Sequence, residues 1–92
     1  MILASEIECF LYDVQSLKEK RAILQKLLSK IRRSCNFSVA EIGFQDQWQR
    51  TRIALVTVSE SKKVAEREFQ KVIALIDSFP ELERTITEYE WL

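Results

Sequence analysis

The chain has 92 residues, 47% of them apolar, and its fourteen Lys and Arg cancel its fourteen Asp and Glu. That length supplies one modest core and hence one domain, residues 1–92, while zero net charge and a pI near 6.3 argue against a global field that would draw the whole protein to nucleic acid. Two cysteines without any histidine exclude an ordinary zinc site and fit a reduced, cytoplasmic protein.

Residues 2 to 12 alternate, with Leu3, Ile7, Cys9 and Leu11 on one side and Ala4, Glu6, Glu8, Phe10 and Tyr12 on the other, which predicts a strand with one apolar face. Glu6 and Glu8 follow the opening apolar residues directly, and no basic residue precedes them, so neither a signal peptide nor a membrane span is expected here. Ser16 stands three residues before Glu19, a capping-box pair that starts a helix at Leu17. Its stripe runs Leu17, Leu24, Leu27, Leu28 and Ile31, and Asn36 is expected to take the left-handed turn that ends it. Residues 37 to 44 and 51 to 59 are two further strands, the second apolar on both sides as suits a central position. Val64, Ala65, Phe69, Val72, Ile73 and Ile76 draw a second helical stripe over 61–78, closed by Pro80. Residues 84 to 91 form the last strand, with Thr85, Thr87, Tyr89 and Trp91 alternating against Ile86, Glu88 and Glu90.

The resulting βαββαβ order, with right-handed crossovers, places both helices on one face of a four-stranded antiparallel sheet of order 4-1-3-2. This is the ferredoxin-like α+β sandwich. One Gly and one Pro leave no room for a flexible linker or low-complexity tract.

Charge is unevenly distributed along the chain. Residues 1–15 carry Glu6, Glu8 and Asp13; residues 16–34 carry Lys18, Lys20, Arg21, Lys26, Lys30, Arg32 and Arg33 against Glu19; residues 81–92 carry four Glu against Arg84. The first helix is therefore the basic element, either a solvated face or a nucleic-acid surface. The open sheet face would gather Glu6, Glu8, Glu88 and Glu90, and the third strand has no aromatic residue, which opposes base stacking on the sheet. The better electrostatic candidates are the helix side and the hairpin tip with Arg50 and Arg52. Lys20 falls inside the apolar arc, either snorkelling past the core edge or making an ion pair or phosphate contact at that end of the sheet, with Asp13 or Asp46 as candidate partners.

Between the second and third strands lies Phe44-Gln45-Asp46-Gln47-Trp48-Gln49-Arg50, an unusual tip, since a tight turn normally uses Gly, Asn or Asp. Trp48 is either a plug beneath the hairpin or an exposed anchor, and Asp46 and Arg50 are placed to pair across the loop. The candidate binding set is Lys18, Lys20, Arg21, Gln45, Asp46, Trp48, Gln49, Arg50 and Arg52. Because the first helix starts at the far end of the first strand, its patch and the tip need not be contiguous.

No catalytic constellation is visible: no histidine, no Gly-rich phosphate loop, no nucleophile beside a base, and hence no catalytic residue, metal or cofactor is expected. Tyr12-Asp13-Val14 followed by a basic helix resembles the opening of the CRISPR-associated Cas2 nuclease-like proteins, where paired aspartates would hold a metal ion for phosphodiester cleavage. A turn residue before a helix explains the same aspartate, so this metal-dependent nuclease reading ranks third. Across the whole chain, Gln15-Ser16-Leu17-Lys18-Glu19-Lys20-Arg21, then Ser38-Val39-Ala40-Glu41-Ile42 leading into Gln45-Asp46-x-Trp48-Gln49-Arg50, and the acidic, apolar last strand resemble the YlxP-like family of small uncharacterised bacterial proteins. In many bacteria genes of that family lie beside those of a translation initiation factor and a ribosome-binding factor. The resemblance thus implies a link to ribosome maturation or translation, and with the missing catalytic set and the cysteine usage it leads to the expectation of a non-enzymatic cytoplasmic protein associated with ribosomal RNA or ribosomal particles. The alternative is a protein-interaction or self-associating scaffold module without nucleic-acid contact, including a homodimer through the sheet, where Ala4, Phe10 and Ile86 mix with carboxylates. No membrane partner is expected.

Overall fold

Alternation over Ile2–Leu11 yields strand β1, and the structure, a computed structural model describing residues 1–92, buries Leu3, Ser5, Ile7, Cys9 and Leu11 on one side of it. There follow α1 (Leu17–Ser34), β2 (Ser38–Gly43), β3 (Arg50–Val58), α2 (Lys62–Asp77) and β4 (Leu82–Trp91). Every strand pair is antiparallel and the sheet order is β2-β3-β1-β4, the expected topology. The chain is a ferredoxin-like α+β protein.

Both helices start where their caps dictate. Ser16 Oγ accepts from the Glu19 N–H at 3.1 Å, while the Glu19 carboxylate accepts from the Gln15 N–H at 2.9 Å, one residue further back than in a strict capping box. Ser61 does the same for α2, accepting from the Val64 N–H at 3.3 Å. The two stripes meet over the sheet, where Leu27 and Ile31 of α1 and Phe69, Val72 and Ile76 of α2 join Leu3, Ile7, Ile53 and Leu55 in one continuous core. Val64 lies outside that core and is exposed, and Ile73 is only partly buried. Asn36 does not adopt a left-handed turn, since Asp13 and Phe44 are the only residues with positive φ. Instead α1 ends through extended Cys35, whose N–H donates to the Ile31 carbonyl at 2.9 Å.

Two bulges reshape the sheet edges. In β4 the register against β1 shifts between Glu8 and Cys9, so Thr85 is the extra residue. The shift inverts the side-chain phase: Leu82 and Arg84 face the helices before it, Thr87 and Tyr89 after it. Arg84 therefore reaches α2 and clamps Asp77 through two bonds of 2.7 and 2.9 Å, which the simple alternation of the last strand did not anticipate. In β2 the shift between Glu41 and Gly43 brings the one glycine so close to β3 that a Cβ there would lie 3.1 Å from the Arg52 Cβ.

The strand ends define two poles along a long dimension of 42 Å. At one pole Leu11 and Tyr12 donate to the Gln49 and Glu81 carbonyls; at the other, Ser59 and Leu92 donate to Met1 and Ile2. The hairpin tip and the start of α1 share the first pole. The end of α1 and the start of α2 share the second, where Asn36 bridges them by donating to the Glu68 carboxylate at 3.0 Å and to the Val58 carbonyl at 3.3 Å.

Candidate nucleic-acid interface

Lys20, on the buried side of the first turns of α1, is only 1% exposed. Its Nζ lies 3.0 Å from Glu41 Oε2 on β2 and donates to the Phe44 carbonyl at 2.6 Å; Thr51 Oγ1 donates to the same Glu41 oxygen at 2.6 Å. The partner is thus Glu41, not Asp13 or Asp46. Phe44 holds φ 60°, a left-handed conformation that costs a non-glycine residue about 1–2 kcal/mol. That conformation turns its carbonyl to accept both Lys20 and the Gln47 N–H at 3.0 Å. Helix start and hairpin tip are consequently bolted together. The two patches are neighbours at one pole, and Lys20 is withdrawn from any partner.

Arg50 and Arg52 turn toward the open sheet face. Arg50 pairs with Glu8 at 2.9 Å and stacks 3.9 Å above the Phe44 ring, so it does not bridge to Asp46. Arg52 sits among three carboxylates, with Glu6 at 2.7 Å and Glu8 and Glu88 at 3.3 Å. Hydrogen bonding from Arg50, helped by Arg52, holds the Glu8 carboxyl below its usual range despite desolvation. Register explains the arrangement, because Glu8 lies directly opposite Arg52 on β3 and Phe10 opposite Arg50. Beyond this clamp the face becomes a shallow trough of about 560 Å³ lined by Ala4, Ala40, Ala54 and Val56, with Glu6, Glu88 and Glu90 along it.

The tip itself is polar and open. Gln45, Asp46 and Gln49 are exposed, Trp48 is 44% exposed and outside the core, and its indole N–H has no protein partner. The plug reading of Trp48 is thereby set aside. Asp13, at φ 56°, forms the exposed turn between β1 and buried Val14.

Ion pairing divides the cations into two sets. Lys20, Arg50, Arg52, Lys71 and Arg84 have carboxylate partners. Every basic side chain without one lies on a helix: Lys18, Arg21, Lys26, Lys30, Arg32 and Arg33 on α1, and Lys62, Lys63 and Arg67 on α2. Three of the α1 cations bind otherwise within the fold, as Arg32 donates to the Val39 carbonyl, Arg33 to that of Ser29, and Lys30 lies 5.4 Å above the Phe79 ring. Of the expected binding residues, Lys18 and Arg21 stay available beside Gln45, Trp48 and Gln49. The α2 cations do not stand out in the sequence as the α1 cluster does. Their signal is that the first turn of α2 holds two lysines and no acid, against the preference of the helix dipole.

Comparison with known proteins agrees with the fold and the motifs. A de novo designed protein, Foldit4, superposes on the whole chain with a TM-score of 0.65 at 15% identity, covering 99% of that chain. The uncharacterized protein YlxP of Bacillus subtilis (strain 168) is 53% identical over 91 residues, 99% of either chain. The family model described as "Protein of unknown function (DUF503)" matches residues 2–89. On these matches, which span the helix-start and hairpin-tip motifs alike, the chain belongs to the DUF503 family.

Proposed function

We propose that this protein is a non-enzymatic cytoplasmic RNA-associated protein that docks on ribosomal particles through its helix layer and hairpin tip. The observation that supports this reading most is the segregation of cations. All three basic groups on the sheet, Arg50, Arg52 and Arg84, are consumed by carboxylates, whereas every cation without a carboxylate partner, Lys18 and Arg21 among them, lies on a helix, where it can meet an external polyanion. Lys18 and Arg21 supply phosphate contacts, and Gln45, Gln49 and Trp48 supply hydrogen bonding and an aromatic surface at the same pole. Co-sedimentation of the tagged protein with ribosomal particles tests this. Binding should weaken when Lys18→Glu and Arg21→Glu are combined, and binding unchanged in that folded variant would refute the assignment.

A second reading, a protein partner or a homodimer, is favoured by the open sheet face, where Ile2, Val56, Val58 and Ile86 are exposed around the alanine-lined trough. Such a partner would respond to Trp48→Ala and Arg50→Ala more than to charge reversal on α1. The nuclease reading predicts cleavage of nucleic acid in magnesium or manganese that Asp13→Ala abolishes. On the proposed reading no cleavage occurs in either metal.

A further inference from the structure

At the pole opposite the hairpin tip, β4 and α2 enclose a groove of about 350 Å³ in which aromatic rings and cations alternate. The β4 bulge sets Tyr89 and Trp91 on the helix side, away from the acidic open face. Tyr89 is 61% exposed, and the Phe69 ring, 5.7 Å away between centroids, supports it from the core side. Lys62 lies 5.1 Å above the Trp91 ring, while Lys63 and Arg67 line the groove with no carboxylate partner. Glu66 is the one acid among its lining residues.

We propose that this groove is a stacking site for an unpaired base of single-stranded RNA, a claim that rests on the RNA-associated reading and extends it to a second contact. A base laid on Tyr89 would bring its flanking phosphates to Lys63 and Arg67, and stacking on an exposed ring is tolerant of sequence because every base offers a π-face. Charge decides between RNA and a protein segment as occupant. Two lining cations against one carboxylate, with Lys62 adding a third positive charge over the Trp91 ring, favour a polyanion, and two lysines at a helix N-terminus, where the dipole disfavours them, are stabilised when phosphate arrives.

The test is fluorescence-anisotropy titration of a mixed-sequence single-stranded oligoribonucleotide with the full chain and its variants. Tyr89→Ala should weaken binding about tenfold, Tyr89→Phe should bind like the parent, and Lys63→Gln with Arg67→Gln should weaken binding and flatten its salt dependence. In a Trp48→Phe background Trp91 is the sole tryptophan, and its emission should be quenched on saturation. Circular dichroism of each variant checks folding, and the conservative Tyr89→Phe keeps the comparison usable if the alanine variant unfolds. Binding that responds to Lys18→Glu with Arg21→Glu but not to Tyr89→Ala would leave the RNA reading standing and overturn the groove. Absence of binding to the oligonucleotide and to ribosomal particles alike would overturn both, whereas capture of a protein segment in place of RNA by this groove would overturn the groove alone.

Discussion

Lys20 occupies the place, between Leu17 and Leu24, where an apolar side chain would complete the α1 stripe. A buried ammonium is tolerated there because Glu41 supplies the opposite charge and the Phe44 carbonyl a further acceptor. Removing one partner strands the other, so Lys20→Met should cost about 3–5 kcal/mol in urea unfolding. The double change Lys20→Met with Glu41→Leu should recover part of the loss. An unchanged midpoint for the single variant would show that the bolt between helix and hairpin does not form. Cys9 is a second buried residue with a measurable consequence, for burial pushes its thiol up to about 12. It should resist alkylation in the native protein at neutral pH and react once the chain is unfolded; native-state labelling of Cys9 would contradict its burial.

Elements were legible where periodicity is strong. The stripes of α1 and α2 and the Ser16 cap located the helices to within a residue, because the 3.6-residue period and the capping chemistry are written in side chains, although Ser61 was not read as the cap of α2. Leu27→Ala should therefore cost about 2–5 kcal/mol, whereas Val64→Ala, on the exposed side of α2, should stay within about 0.5 kcal/mol. Equal losses at the two positions would mean the stripe is misplaced. The β4 bulge was not legible, since one extra residue changes the phase of Leu82 and Arg84 without any glycine or proline to mark it. Nor was the tip, where Phe44 rather than glycine takes the left-handed position, held by a lysine 24 residues earlier in sequence. Of the site, Lys18 and Arg21 could be read as solvent-facing from their helical phase. The fates of Arg50 and Arg52 could not, because they depend on which carboxylates the strand register sets opposite them.

Across the whole molecule, the cations without a carboxylate partner collect on the helices, while carboxylates are clamped on the sheet by Arg50 and Arg52 and on α2 by Lys71 and Arg84. Acid stability depends on such clamps. Hydrogen bonds lower the carboxyl groups of Glu8 (from Arg50), Glu68 (from Lys71) and Asp77 (from Arg84) below their ordinary range. A depressed folded-state pKa contributes stability that is present above the unfolded value and lost as pH falls through the folded one. Thermal midpoints should accordingly hold from neutral pH to about 5 and then fall as the solution passes below about pH 4; a flat profile down to about pH 2 would contradict the clamps. Tyr12 acts in the opposite direction, because its hydrogen bond to Glu83 raises the phenol and that contribution is lost only as pH rises past about 10.

Layered charge also makes one measurement decisive, the salt dependence of co-sedimentation with ribosomal particles. If the helix layer meets RNA phosphates, log binding should fall linearly with log salt. Lys18→Glu with Arg21→Glu should lower both the affinity and the slope, by about one unit of slope for each phosphate no longer neutralised. Arg52→Gln, which changes only the internally paired sheet face, should leave the slope unaltered. A parent protein whose pelleting is indifferent to salt, or a slope that shifts with Arg52→Gln and not with the α1 variant, would contradict RNA association through the helices.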